Sequence, residues 1–104
     1  MLEVEMFPSY ERWFEKLRDR TARSLILARI FQIKTHGEYM GDFKSVGDGV
    51  IELRVHVGPG YRIYTTLRDG RLLLLMCGGT KRRQQADVER AKELLKEWDK
   101  EHGH

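Results

Sequence analysis

The chain has 104 residues and a formal net charge of +3. This length predicts a single domain over residues 1–104, large enough to bury a core of its own. The lone cysteine, Cys77, excludes an internal disulfide, and no apolar run approaches the roughly 20 residues that span a bilayer. We therefore expect a soluble, cytoplasmic protein that does not associate with membranes.

The positive charge is concentrated in the middle of the sequence. Residues 54–83 contain seven basic residues and one acid, Asp69, for a net charge of +6, whereas the rest of the chain carries −3. A basic block within an otherwise acidic chain indicates an anionic partner better than the overall charge does. A solvated basic face would give the same pattern.

The first half of the sequence predicts a strand followed by two helices. Residues 2–7 alternate apolar and acidic, as in a short strand. The segment PSYERWFEKLRD has helical spacing and an aromatic stripe, and ARSLILARIFQIKT follows it with an aliphatic stripe. Thr21 is a suitable cap for the second helix and Gly37 a suitable stop. Very few residues join the two helices, so a helix hairpin is expected.

The second half predicts four strands and a closing helix. DFKSVG, VIELRVHV, YRIYTTL and RLLLLMC are separated by DG, GPG and RDG turns. Turns this short favour an antiparallel meander, and the last strand is apolar enough to be covered on both faces. A helix with an apolar stripe from Val88 to Trp98 follows. The fold class is therefore α+β, and residues 99–104 are expected to form a disordered tail.

The stretch ELRVHVGPGYRIY places five polar groups around one hairpin. Side chains alternate along a strand, so a three-residue Gly-Pro-Gly loop would pair His56 with Arg62 and Arg54 with Tyr64, leaving Glu52 on the same face. The apolar residues would face the helices. This pattern fits a site that holds a phosphate and moves protons, although exposed charges on a solvated strand are also common.

Each of these groups has a chemistry that suits such a site. Two arginines, Arg54 and Arg62, orient a phosphate, and Lys81 at the end of the last strand neutralises an oxyanion. Glu52 or His56 is the candidate base. Tyr64 is a candidate for stacking on a base.

No metal or cofactor is predicted. The four histidines are scattered, at positions 36, 56, 102 and 104, without metal-ligand spacing. The segment CGGTKRR lacks the spacing of a phosphate-binding loop.

Two long strings resemble a known family. The sequences VGDGVIELRVHVGPGYRIY and CGGTKRRQQADVERA are similar to the RelE/ParE superfamily of type II toxins, and most closely to its HigB-like branch of addiction-module killer proteins. The resemblance implies a twisted antiparallel sheet flanked by an N-terminal helix pair and a C-terminal helix.

The resemblance also implies a function. RelE-like members are metal-independent ribonucleases that cut mRNA, typically on the ribosome, and so inhibit translation and growth. A cognate antitoxin, often a helix-turn-helix protein of the HigA type, neutralises them. Arg54, Arg62 and Lys81 match recurring basic positions of the family. We predict that RNA is also bound by Tyr64, Arg68, Arg82 and Arg83.

Two alternatives remain open from the sequence. ParE-like members share the fold but poison DNA gyrase and are not nucleases. A basic RNA-binding domain without toxicity would show the same charge pattern. The cluster of proton-transfer candidates beside the arginines favours the nuclease.

Overall fold

The computed structural model describes residues 1–103, and it confirms the α+β class with two N-terminal helices and a C-terminal helix. In chain order the elements are β1 (Glu3–Met6), α1 (Pro8–Lys16), α2 (Arg20–His36), β2 (Phe43–Ser45), β3 (Ile51–Val55), β4 (Tyr61–Arg68), β5 (Leu72–Thr80), a 3₁₀ turn (Lys81–Arg83) and α3 (Gln84–His102). None of the helices within residues 1–103 combines the length and the hydrophobicity needed to cross a membrane.

The five strands form one mixed sheet in the order β1-β5-β4-β3-β2. Strands β2 to β5 are the predicted antiparallel meander. In contrast to the expected antiparallel sheet, β1 pairs parallel with β5, with Glu3 opposite Leu72 and Met6 opposite Leu75. Parallel pairing is possible here because two helices and three strands separate β1 from β5, so no tight turn constrains its direction.

Helices cover both faces of the sheet, so two apolar layers are present. Residues Ile26 and Ile33 of α2 pack with Leu53 and Ile63 on one face. On the other face, the α3 residues Ala91, Leu95 and Trp98 pack with Leu74 and Met76. Strand β5 contributes alternate residues to both layers, which agrees with its nearly continuous apolar sequence.

The second helix begins two residues earlier than the Thr21 cap predicts. Asp19 is the N-cap, and its carboxylate accepts a hydrogen bond of 3.0 Å from the backbone N–H of Ala22. Gly37 ends the helix in the left-handed conformation, as predicted, with φ of 79°.

The central hairpin has a longer loop than the sequence predicted. Val55 pairs with Tyr61, so residues 56–60 form the loop, Arg54 lies opposite Arg62, and Glu52 lies opposite Tyr64. The chain turns early because the backbone N–H of Val57 already bonds to the carbonyl of Val55. The predicted pairing was therefore wrong by two residues, but a shift of two keeps every strand side chain on its predicted face.

The predicted disordered tail at residues 99–104 is wrong for the part that the structure describes. Helix α3 continues through His102, whose imidazole stacks on Trp98 with 3.9 Å between ring centroids. Asp99 forms an ion pair with Arg68 at 2.7 Å. His104 lies outside the described residues.

Candidate functional site

A buried carboxylate, Glu52 of β3, lies at the centre of the site. Its Oε1 accepts a 2.9 Å hydrogen bond from Arg54 Nε and lies 3.7 Å from Arg62 Nε. From the start of α3, Gln84 Nε2 donates to Oε2 at 2.9 Å. We call these four residues the arginine cluster. A buried charge is stable only when it is paired. Glu52 holds Arg54 by a hydrogen bond and Arg62 by charge alone, because Arg62 Nε has no hydrogen-bond partner within residues 1–103.

Strand register explains why this cluster forms. Arg54 and Arg62 are directly opposite each other on β3 and β4, an arrangement that is unfavourable for like charges unless an anion lies between them. Glu52, two residues before Arg54 on the same face, supplies that anion. The Arg54 side chain is 25% exposed and the Arg62 side chain only 5%, so Arg54 is the arginine that reaches solvent.

The prediction of Glu52 as a base does not agree with this geometry. The residue has no accessible surface, and its oxygens are engaged by Arg54 and Gln84. A substrate hydroxyl therefore has no access to it. Glu52 instead holds Arg54 in place. Its contact with Gln84 could not be predicted from local sequence, because the two residues are 32 positions apart.

The second proton-transfer candidate, His56, pairs with a residue that the sequence analysis missed. The Nε2 atom of His56 forms a hydrogen bond with the carboxylate of Asp42, and the histidine side chain is 64% exposed. Asp42 precedes β2, and its backbone carbonyl accepts a 2.9 Å hydrogen bond from the N–H of Arg54. A carboxylate that orients an accessible imidazole is the arrangement used by general bases.

Arg29 of α2 connects this pair to the helix layer. Its guanidinium donates to the backbone carbonyls of Asp42 at 3.1 Å and Arg54 at 2.9 Å. Gly41, with φ of 82°, packs on that guanidinium so closely that a Cβ would lie 2.7 Å from Arg29 Cζ. No local sequence pattern indicates these contacts, because they join segments that are distant in the chain.

The pKa of Asp42 provides a direct test of the pair. The hydrogen bond from His56 holds this pKa below its ordinary value of 3.8, and His56, Arg54 and Arg29 add favourable charge interactions. In the His56→Ala variant we expect the pKa of Asp42 to rise toward 3.8. Carboxyl ¹³C shifts measured during an acid titration would detect the change, with Asp48, an exposed carboxylate, as the internal control. An unchanged Asp42 titration would show that the pair does not form in solution.

The three basic residues of the 3₁₀ turn lie in different surroundings. The backbone N–H of Lys81 donates to the carbonyl of Gly60 at 2.9 Å, which places Lys81 beside the hairpin loop. A Cβ at Gly60 would lie 3.4 Å from Lys81 Cβ and 3.8 Å from Arg62 Nη1. Lys81 therefore lies beside the arginine cluster, whereas Arg82 lies on the exposed surface of the turn. Arg83 lines a separate cleft between α1 and α3.

Two residues predicted to bind RNA are not available to it at the site. Tyr64 is on the expected face but has no accessible surface, because α3 covers it. Burial and the nearby Glu52 carboxylate raise the pKa of its hydroxyl, and its ring is not available for stacking. Arg68 lies six residues beyond Arg62, about 20 Å along β4, and its guanidinium pairs with Asp99. Tyr64 therefore lies beneath the site without access to RNA, and Arg68 lies outside it.

Metal-ligating side chains do not gather anywhere within residues 1–103. No group of three or more histidine, cysteine, aspartate or glutamate side chains has an arrangement that could hold an ion. Cys77 is buried, and burial raises the pKa of its thiol to about 12. The accessible reactive groups of the site are therefore the pair of His56 with Asp42, the guanidinium of Arg54 and the side chain of Lys81.

Comparisons with known proteins place the chain among relatives of similar length. The family model of phage-derived Gp49-like proteins (DUF891) matches residues 12–97. An uncharacterized protein of Haemophilus influenzae strain Rd is 38% identical over 96 residues, which cover 92% of this chain and 95% of the relative.

Two solved structures are similar in fold. A chain of the intact E. coli RelBE toxin–antitoxin complex superposes with a TM-score of 0.64 and 11% identity, covering 77% of this chain and 96% of that one. The conserved protein HP0894 from Helicobacter pylori gives a TM-score of 0.49 with 17% identity, covering 79% and 97%. The first similarity establishes the fold.

Proposed function

Since this chain belongs to the phage-derived Gp49-like (DUF891) family and shares its fold with a chain of the RelBE toxin–antitoxin complex, we propose that it is a toxin that cleaves mRNA. The observation that carries this proposal is the oriented imidazole of His56, paired with Asp42 and adjacent to Arg54. The proposed activity is that of a metal-independent endoribonuclease of the HigB-like type, acting on translated mRNA at the ribosome.

The proposed reaction is an intramolecular transesterification, in which a 2′-hydroxyl of RNA attacks its own phosphodiester. The 2′-oxygen attacks the adjacent phosphorus while His56 accepts the hydroxyl proton, and Asp42 stabilises the resulting imidazolium. The bond to the 5′-oxygen breaks, that oxygen takes a proton from water, and the imidazolium of His56 returns its proton to the hydroxide that results. The products are a 2′,3′-cyclic phosphate and a 5′-hydroxyl.

Arg54 and Lys81 have electrostatic roles in this scheme. The crowded phosphorane carries more negative charge than the ground-state phosphate, and preorganised cations stabilise it most strongly when they do not need to move. Arg54 is held by Glu52 at 2.9 Å, and the backbone of Lys81 is fixed to Gly60. Arg62, largely buried behind Arg54, adds positive potential to the site.

The proposed partner is a cognate antitoxin, a helix-turn-helix protein of the HigA type. The structure similar to this chain comes from a toxin–antitoxin complex. An inhibitor of the proposed site would cover Arg54, His56 and Lys81, and acidic side chains would complement these cations.

The proposal is tested by mapping 5′ ends of cellular mRNA after brief induction. We expect wild-type protein to create new ends inside translated frames and the His56→Ala variant to reduce them by about 10²–10⁴-fold, as for loss of a general base. His56 is exposed, so its replacement leaves the core intact. His36→Ala is the matched control, because His36 is also exposed and its ring forms a hydrogen bond with Gln32 of its own helix.

Other outcomes would assign a different function. New ends that persist in the His56→Ala variant would remove His56 from the site. Growth arrest without new ends would favour a ParE-like action on DNA gyrase. Expression that does not arrest growth would favour the non-toxic alternative, a basic RNA-binding domain.

A further inference from the structure

The outer face of α2, on the side away from the sheet, is apolar and exposed. Three of the six large apolar side chains that are exposed within residues 1–103 lie on this helix: Leu25, Leu27 and Phe31, which are 46%, 54% and 64% exposed. The inner face of the same helix is also apolar and is buried in the core. A helix with apolar side chains on all sides is typically buried on all sides. The outer face of α2 therefore has the composition of an interface.

Charged side chains are missing from most of this outer face. Between Arg20 and Lys34, every exposed position of α2 is uncharged: Thr21, Ser24, Leu25, Leu27, Ala28, Phe31 and Gln32. Helix α3 has the usual pattern of a solvated helix, because most of its exposed positions are lysine, arginine or glutamate. Scattered apolar residues on a surface are ordinary, whereas a contiguous apolar surface with polar residues at its edges marks a docking site.

Helical spacing aligns the two most exposed apolar side chains of α2 with one cation at each end. Leu27 lies seven residues after Arg20 and seven before Lys34, and Phe31 follows Leu27 by four, so all four lie on one side of the helix. We call these four residues the α2 strip. Its two cations are about 21 Å apart along the axis, or about four turns. Neither cation has an ion-pair partner within residues 1–103.

The acid next to the strip, Asp19, is already engaged. One of its carboxylate oxygens caps α2, and the other accepts a hydrogen bond of 3.3 Å from the Tyr61 hydroxyl. A Cβ at Gly58 would lie 3.1 Å from this second oxygen, so the Arg20 end of the strip is close to the loop of the central hairpin. Asp19 is therefore occupied within the fold, and Arg20 is left to meet a partner.

The charges of α2 determine which partner fits. The helix contains three arginines and a lysine but no acidic residue. A partner that buries Leu27 and Phe31 needs apolar side chains at its centre. A partner that also meets Arg20 and Lys34 needs an acidic side chain near each end. An amphipathic helix of about four turns satisfies both requirements, because helices pack along rows of side chains three and four residues apart.

A second copy of the chain and a nucleic acid both fit less well. In an antiparallel pair of α2 helices, Arg20 would lie beside Lys34 of the second copy, and in a parallel pair each cation would meet its own equivalent. Both arrangements place like charges together, which disfavours association. A nucleic-acid backbone would neutralise the cations but would not bury the apolar side chains between them.

We propose that the α2 strip docks an amphipathic helix of a partner protein, with apolar side chains at its centre and an acidic side chain near each end. Leu27 and Phe31 supply the buried contacts, and Arg20 and Lys34 pair with the acidic ends. The strip is separate from the arginine cluster, because α2 covers one face of the sheet and the cluster lies on the face that α3 covers. The inference therefore does not depend on the nuclease proposal.

The test uses the full-length protein and two synthetic helical peptides of about 18 residues. Both are rich in alanine and have leucines at helical spacing along the centre of one side. One peptide has glutamate at both ends of that side, and the other has lysine. Binding is followed by ¹⁵N–¹H NMR, since two four-turn helices bury less than the roughly 1,200 Å² of a stable interface. We expect the glutamate-ended peptide to bind about tenfold more tightly, with amide shifts centred on α2.

Charge reversal on the protein is expected to reverse this preference. The Arg20→Glu/Lys34→Glu variant should bind the lysine-ended peptide about tenfold more tightly than the other. The Phe31→Ser variant should weaken both peptides about tenfold or more, as for loss of a buried aromatic contact. The matched control is Lys96→Glu/Lys100→Glu, which makes the same change in net charge at two exposed positions of α3. This control should keep the wild-type preference.

The outcomes separate this inference from the proposed function. A preference that Arg20→Glu/Lys34→Glu reverses would support the docking surface, whether or not the protein creates mRNA ends. The same variant, expressed without a partner, should still create those ends if the nuclease proposal is correct. Absence of binding at about 1 mM peptide, equal binding of both peptides, or a preference that survives charge reversal would overturn the docking surface and leave the nuclease proposal intact.

Two further measurements would assign the strip to a different occupant. Self-association of wild type in analytical ultracentrifugation that Phe31→Ser abolishes would indicate a second copy of this chain. Binding to vesicles of anionic phospholipid that Phe31→Ser abolishes would indicate a membrane surface. Either result would overturn the proposed partner helix, and we expect wild type to be monomeric and not to bind the vesicles.

Discussion

Replacing Glu52 with glutamine is expected to lower the free energy of unfolding by about 3–5 kcal/mol, since it leaves buried Arg62 without its counter-charge. The change retains the shape of the side chain and removes only its negative charge. Arg54 and Arg62 would then face each other across β3 and β4 with no anion between them. Urea unfolding followed by circular dichroism at pH 7 measures the loss.

Two further variants show whether charge is the cause. Glu89→Gln, on the exposed side of α3, makes the same chemical change and is expected to alter stability by no more than about 0.5 kcal/mol. Adding Arg62→Gln to the Glu52→Gln variant should recover part of the lost stability, because the unpaired cation is then absent. If Glu52→Gln is as stable as Glu89→Gln, the cluster does not depend on its carboxylate.

Replacing Gly78 with alanine is expected to cause the second large loss of stability. A Cβ at this position would lie 2.4 Å from the Trp13 ring, and the ring is held by contacts with Tyr10, Phe14 and Tyr61. Overpacking of this kind costs about 1–3 kcal/mol. We expect Gly78→Ala to lower the midpoint of urea unfolding accordingly.

Trp13→Leu is the compensating change for that variant. Combined with Gly78→Ala, the smaller side chain makes room for the new methyl group, so the double variant should lose less stability than the two single losses added together. If the double variant loses as much stability as the two single variants together, the clash with Trp13 is not the cause of the loss in Gly78→Ala.

The features predicted correctly from the sequence are those that local patterns determine. Apolar stripes at helical spacing identified α2 and α3, and the apolar run ending at Cys77 identified a strand covered on both faces. Strand alternation also placed Glu52, Arg54 and Arg62 on one face correctly, even though the loop length was wrong.

The errors that affect the site concern contacts between distant segments. We expected the polar face of the hairpin to be open, but α3 packs on that face, so Tyr64 and Glu52 are buried. Arg68 belongs to the basic block in sequence, yet Asp99 binds it at the far end of β4. Asp42 and Gln84 reach the site only through the tertiary fold, and neither has a neighbouring pattern that marks it.

The parallel pairing of β1 with β5 determines how the chain reaches its final structure. Pairing residues 3–6 with residues 72–75 closes a loop that includes most of the protein, at an entropic cost on the order of 4 kcal/mol beyond a constant term. The hairpins of β2 to β5 close much shorter loops and have a large kinetic advantage. We therefore expect the N-terminal strand to join the sheet last, after which the hydrogen bond from Trp98 Nε1 to Glu5 connects β1 to α3.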